Sequence, residues 1–197
     1  MDATKTIETA TRDILQAIGD DPERPGIIET PKRVAKAYAQ FFKGYIENPA
    51  DHIKVFEEVS TDQMIISSPI HFVSFCEHHM LPFVGRAHIG YLPKMIGDKG
   101  RVLGISKLSR VVNVFASRLQ IQERLTTQIA DFLYEHLGCD GVGVVLQAQH
   151  MCMALRGVKD INSSMTTSAM LGNFREDPSI KSEFLSMINL HNFSGVV

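Results

Sequence analysis

Residues 64–91 carry three apolar runs: Met64-Ile65-Ile66, then Ile70-His71-Phe72-Val73-Ser74-Phe75-Cys76, then, after a break at Pro82, Phe83-Val84-Gly85-Arg86-Ala87-His88-Ile89-Gly90-Tyr91. Their shortness, their β-branched and aromatic content and the proline between them predict strands. A turn follows at Gly97-Asp98-Lys99-Gly100, so the region reads as antiparallel sheet. Downstream the period changes. Leu108, Val111, Val112 and Phe115 recur at helical spacing, as do Leu125, Ile129, Phe132 and Leu133 before Gly138, a good helix C-terminus. Val142 to Leu155 returns to strand, Met165 to Met170 adds another, and Ser179 to Leu190 predicts a closing amphipathic helix. Strands, then helices, then strands again imply an α+β fold, the two helical stripes packed on the sheet.

Upstream, Ile7, Ile14, Leu15 and Ile18 make a weak helical pattern that Gly19-Asp20-Asp21-Pro22 ends. Thr30-Pro31 suits a helix start, with Thr as cap and Pro in the first turn, and Val34, Ala35, Tyr38, Phe41 and Phe42 form one stripe before Gly44. Residues 1–50 are therefore expected to be an N-terminal helical segment and residues 51–197 the main domain. The formal net charge of −2 advertises no global surface for polyanions, so neither nucleic acid nor membrane is an expected partner. No apolar run approaches the roughly 20 residues of a bilayer span, and Met1-Asp2-Ala3-Thr4-Lys5 lacks a signal-peptide core; the expected location is cytoplasmic. Three cysteines, an odd set, argue against a disulfide framework and for reduced thiols.

Two of those thiols sit beside histidines. Cys76-Glu77-His78-His79 has the C-x-x-H spacing that a tight bend brings to one metal; in an ideal strand Cys76 and His79 would point apart, so the strand must end there. His150 and Cys152, on the strand predicted to Leu155, share a face with Ala154 and Arg156, and His, Cys and Arg in alternation suit the wall of a site better than a core. Cys76, His79 and Cys152 together make a Cys₂His zinc set with one coordination position left for water; a fourth ligand among the other histidines would make the zinc structural instead. His78 and His150 are then spare imidazoles, suited to proton transfer or to support of the metal.

Gly104-Ile105-Ser106-Lys107-Leu108-Ser109-Arg110 sets Ser106 as a natural cap with Lys107 and Arg110 in the first turn. Cations there oppose the helix dipole unless an anion such as phosphate occupies the terminus; a solvated basic face is the other reading. Arg156 and Arg33 are further candidates for the same anion. Gln122-Glu123-Arg124 opens a helix, where Glu123 either complements the dipole or, with a purine nearby, accepts the paired N–H groups of guanine.

Cys76-Glu77-His78-His79, Gly104-Ile105-Ser106-Lys107, Gln122-Glu123-Arg124-Leu125 and His150-Met151-Cys152-Met153-Ala154-Leu155-Arg156-Gly157, in this order, closely resemble the GTP cyclohydrolase I family from about Thr30 to Phe184. The resemblance implies a T-fold, an antiparallel sheet with helices on one face, assembled into a homodecamer with active sites between subunits. It implies Zn²⁺ on Cys76, His79 and Cys152, guanine recognition by Glu123 with help near Gln122, and triphosphate contacts from Ser106, Lys107, Arg110 and Arg156, with Arg33 reaching a neighbour's site. His150 and His78 would be catalytic, the first protonating guanine N7 for hydrolysis at C8 and the second the ribose ring oxygen. Formate and 7,8-dihydroneopterin triphosphate would be the products, for pterin and tetrahydrofolate biosynthesis and one-carbon metabolism. Two rivals are a nitrile reductase of deazaguanine metabolism, with a nucleophilic cysteine, and a purine-binding module with structural zinc.

Overall fold

The computed structural model describes residues 2–188 and divides into two compact units, Met1–Lys43 and Gly44–Val197. In the first unit, helix α1 (Ala3–Ala17) starts on Asp2, whose carboxylate accepts from Thr4 N at 3.0 Å, and packs against α2 (Thr30–Phe41). Thr30 is the first helical residue rather than the cap: Glu29 holds the cap position with a helical backbone and no side-chain bond. The helix stops at Phe41, before the glycine expected to end it, and Gly44 lies in the 3₁₀ turn Lys43–Tyr45.

In the second unit the predicted runs 64–66 and 70–76 join into one strand, β2 (Ile65–Cys76), with a register shift between Ser67 and Ile70. It pairs antiparallel with β3 (Pro82–Leu92). A small second sheet, unforeseen from sequence, is made by β1 (Val55–Val59), β4 (Met95–Ile96) and β5 (Lys99–Leu103), with the predicted turn between the last two. Helix α3 (Ile105–Ala116), strand β6 (Leu119–Gln120) and helix α4 (Gln122–Leu137) follow, and Gly138 ends α4 at φ 55°, a left-handed conformation that glycine adopts without penalty. Strand β7 (Gly141–His150), a short turn of helix α5 (Met151–Ala154), strand β8 (Met165–Gly172) and helices α6 (Asn173–Glu176) and α7 (Pro178–Ile188) complete the chain; Asn189 and Leu190 of the predicted last helix lie outside the described residues. The larger sheet has the order β6-β2-β3-β7-β8, antiparallel throughout except where β6 joins β2 in parallel.

Alternation along the central strands sorts their side chains. Phe72, Phe83, Ala87, Ile89, Val144 and Leu146 meet Leu108, Val111 and Val112 of α3 and Leu125, Ile129 and Leu133 of α4 in the main core. Burial of each large aliphatic side chain contributes about 1.5–3 kcal/mol. Helices α3 and α4 pack on one face of the sheet, as expected. Phe174 of α6 and Phe184 and Ile188 of α7 form a second cluster with Val145, whose neighbours Val144 and Leu146 belong to the main core. Glycine permits this: a Cβ at Gly143 would lie 2.5 Å from Phe174 Cδ1.

His88, in the middle of β3, is buried, with Nδ1 2.6 Å from Ser68 Oγ and no partner for Nε2 among the described residues. Burial, assisted by the Arg86 charge, holds its pKa below the ordinary imidazole value. Folding therefore favours the neutral ring, and its contribution is full above pH about 6.5 and lost as pH falls below that value. Urea unfolding across this range is expected to show wild-type stability dropping toward pH 5 more steeply than that of His88→Gln; parallel pH dependences would refute the assignment.

Candidate active site

The donor segments arise where strands stop. Strand β2 ends at Cys76, whose N–H donates to Leu81 O at 2.9 Å while Met80 N donates to Cys76 O at 2.8 Å. Met80 takes φ 54°, and this tight turn swings His79 round, its Nδ1 3.7 Å from Cys76 Sγ; His78 Nδ1 lies 3.9 Å from the same sulfur. The bend required by the C-x-x-H spacing is present.

The second donor arrives differently from expectation. Strand β7 stops at His150 and does not continue to Leu155; Met151–Ala154 turns as α5, so the predicted strand face of His150, Cys152, Ala154 and Arg156 does not exist. Its partner dictates the stop: His150 pairs with Phe83, and the preceding Pro82 has no N–H with which to extend a ladder. Met153 and Leu155, which such a strand would have set on its opposite, apolar face, are exposed. The helical turn nevertheless delivers Cys152.

The donor atoms of Cys76, His79 and Cys152 all lie within 4.8 Å of one another. Bonds of about 2.0–2.3 Å in a tetrahedral zinc site need donors roughly 3.3–3.8 Å apart, so a contraction of at most about 1–1.5 Å suffices. The chemistry also fits, because two sulfurs and an imidazole are donors suited to zinc; burial and the adjoining Cys76 sulfur raise the pKa of the Cys152 thiol, whose proton a cation would replace.

Across this set, His150 stacks on Phe83 with centroids 4.7 Å apart and planes 5° apart, and its Nε2 lies 2.8 Å from Gln122 Oε1. Desolvation lowers the His150 pKa, with the Glu123 carboxylate pulling the other way. Glu77 is paired to Arg124, which holds its carboxyl below the usual range; Arg124 Nε also donates to Gln120 Oε1 at 3.1 Å, tying the metal turn to α4. Arg156 Nη1 donates to His79 Nε2 at 2.8 Å.

A cleft of about 190 Å³ is lined by Cys76, His78, His79, Gln120, Ile121, Gln122, Glu123, His150 and Cys152. Seven predicted residues thus converge, and Arg156 reaches them through His79. Ser106 and Lys107 lie in the first turn of α3 and Arg110 in its second, outside that lining; Gly104, not Ser106, holds the cap position. Arg33 is exposed on α2 of the first unit. Sequence reasoning missed Phe83, Glu77 and Arg124. Phe83 carried a usable signal once both strand ends are known, since it sits directly opposite His150; the pair Glu77–Arg124 spans 47 residues and had none.

Fold and cleft together define an α+β protein with a Cys-His-Cys group able to take a metal. The chain belongs to the GTP cyclohydrolase I family, whose sequence profile matches residues 7–189. It is 50% identical over 184 residues to GTP cyclohydrolase 1 of Dehalococcoides mccartyi, covering 93% of this chain and 96% of that one. To GTP cyclohydrolase 1 of Coxiella burnetii it is 48% identical over 187 residues, covering 94% and 98%. Among solved structures, the archaeosine synthase QueF-like protein in its apo form gives a TM-score of 0.46 at 14% identity, covering 57% of this chain and 96% of that one.

With three donors available to a metal, deleting one should release it. Cys152→Ala is expected to fold yet retain little zinc after purification, against one zinc per chain in the wild type, by elemental analysis with circular dichroism as the folding control. Full zinc retention by the variant would remove Cys152 from the set.

Proposed function

We propose that this chain catalyses the GTP cyclohydrolase I reaction: hydrolytic opening of the guanine imidazole ring of GTP, release of formate, and rearrangement to 7,8-dihydroneopterin triphosphate. The observation that carries it is the gathering of Cys76, His79, Cys152, His78, His150 and Glu123 around one cleft, in a member of that family. Zn²⁺ on Cys76, His79 and Cys152 would supply Lewis-acid activation of water near neutral pH.

The remaining steps belong to side chains. Glu123, exposed at the first turn of α4, accepts the N1–H and 2-amino protons of guanine, donors that adenine does not present on that edge. His150 delivers a proton to N7, drawing electron density from C8 as water adds there. Two hydrolyses, at C8 and at the resulting formamide, release formate. His78, exposed at the cleft, then protonates the ribose ring oxygen, and the opened sugar rearranges and closes onto the pyrimidine with loss of one water.

The cleft is smaller than the roughly 300–1,000 Å³ of common ligand pockets, which supports a site that holds the base and leaves the triphosphate outside. We assign the phosphates to Ser106, Lys107, Arg110 and Arg156 and, from a neighbouring subunit, Arg33, in a homodecamer with shared sites. The catalytic domain is 51–197, preceded by the helical segment 1–50. Free thiols at all three cysteines, and the absence among the described residues of a helix able to cross a membrane, support a cytoplasmic enzyme feeding pterin and tetrahydrofolate synthesis and one-carbon metabolism.

Incubation with GTP is expected to yield formate and dihydropterin absorbance that a strong chelator abolishes; neither product from folded, zinc-loaded protein would defeat the reading. His150→Ala should keep zinc but lose about 10²–10⁴-fold in formate release, the usual worth of a general acid. Glu123→Ala should weaken GTP binding, measured calorimetrically, with little loss of thermal stability; unchanged affinity would return Glu123 to its interaction with the helix dipole.

A further inference from the structure

Gln122 stands in the cleft lining, yet its side chain is spent inside the protein. The residue is 1% exposed, and its Nε2 lies 3.1 Å from Leu146 O, 2.9 Å from Met165 O and 3.1 Å from Thr167 Oγ1. Carbonyl oxygens only accept, so the amide cannot be turned over: NH₂ faces β7 and β8, and Oε1 faces His150. The neighbouring hydroxyls agree with that orientation. Thr126 Oγ1 donates to Gln122 O at 2.7 Å, which leaves Thr167 Oγ1 to donate to Thr126 Oγ1 at 2.6 Å and to accept from Gln122.

An amide oxygen is an acceptor only, so the bond between His150 Nε2 and Gln122 Oε1 requires the hydrogen on Nε2. In its neutral form the ring is thereby held as one tautomer, with Nδ1 as the nitrogen free of this bond. Phe83, stacked 5° from parallel, holds the ring plane. A proton carrier acts from one nitrogen at one angle, so the group that sets both determines whether the imidazole is aligned with its target.

We infer that Gln122 is a positioning residue, fixing the tautomer and direction of the His150 ring from β7 and β8, and is not a contact to the guanine base. This rests on His150 acting in the cyclohydrolase reaction proposed above, and it reassigns the role that the sequence resemblance implied for Gln122.

The two roles part in kinetics. Gln122→Met keeps the side-chain length and removes both hydrogen-bonding ends. It is expected to retain zinc, to leave KM for GTP within about twofold, and to lower kcat by about ten- to a hundredfold, a fraction of what a general acid contributes. Magic-angle-spinning ¹⁵N spectra of histidine-labelled protein, with the His150→Gln variant assigning the ring, should show the Nε2–H form in the wild type and a tautomer mixture in Gln122→Met. A raised KM at unchanged kcat, or one tautomer in both proteins, would overturn the inference. Should Gln122→Met not fold, Thr167→Val removes one anchor of the amide and is expected to give a smaller fall in kcat at unchanged KM; a change in KM alone would again overturn it. If the wild type releases no formate from GTP, the cyclohydrolase reading fails, while the ¹⁵N spectra still decide whether Gln122 holds His150.

Discussion

The cleft depends on where β3 begins. Phe83 is paired on one side with Ser74 and on the other with His150; the β2 side runs one rung further, Phe75 opposite Pro82, whereas on the β7 side Pro82 has no N–H to donate to a further rung. Both neighbours run antiparallel to β3, so both must leave the sheet at the same edge. Strand β2 ends at Cys76 and β7 at His150, and the two segments that depart there carry Cys76, His78 and His79 on one side and Cys152 on the other. Residues more than 70 positions apart in sequence are thus delivered together by one ladder, without long side-chain reach. Had either strand continued, as an extended β7 would to Leu155, alternation would have spread its polar side chains along the sheet instead of gathering them at its end.

What gathers there is charge chemistry at a partly buried edge, with Cys76 buried, Cys152 and His150 half-buried and His78 and His79 exposed. Burial pushes the Cys152 thiol up and the His150 imidazole down, so both groups rest neutral without a ligand. A divalent cation reverses that balance for the thiols, because metal and thiolate charges offset one another. Glu77 lies on the same turn but is engaged by Arg124, which keeps a third anionic group directed toward α4 rather than toward the sulfurs. The division of labour follows from geometry: soft donors inward, carboxylate outward.

Much of this was legible in the sequence, for identifiable reasons. The bend after Cys76 was forced by chemistry, since no strand lets Cys76 and His79 share a face, and Pro82 marked the break. The helical stripes of α3 and α4 and the C-terminal Gly138 follow local rules that do not need the rest of the fold. The end of β7 was not legible, because Met151 to Leu155 alternates well enough to pass for strand and only the register with β3 stops it. Strand β1 was equally hidden: its partner β5 is about 45 residues away, and Val55–Val59 carries two acidic residues that blur its pattern. The cap of α3 was misread because Ser106 is the better capping residue, yet the backbone turns at Gly104.

The start of α4 shows why adjacent residues of one motif take opposite duties. Successive residues on a helix point about 100° apart, so Gln122 and Glu123 cannot both face the protein. Gln122 turns inward to β7 and β8 and is wholly buried; Glu123 stays exposed at the cleft. One peptide unit therefore couples the group bonded to His150 to the exposed carboxylate proposed to read the base. On the proposed reading, a substrate drawn onto Glu123 would be referenced to the same helix turn that fixes the imidazole, so recognition and proton transfer would share a rigid frame rather than depend on two loops to meet.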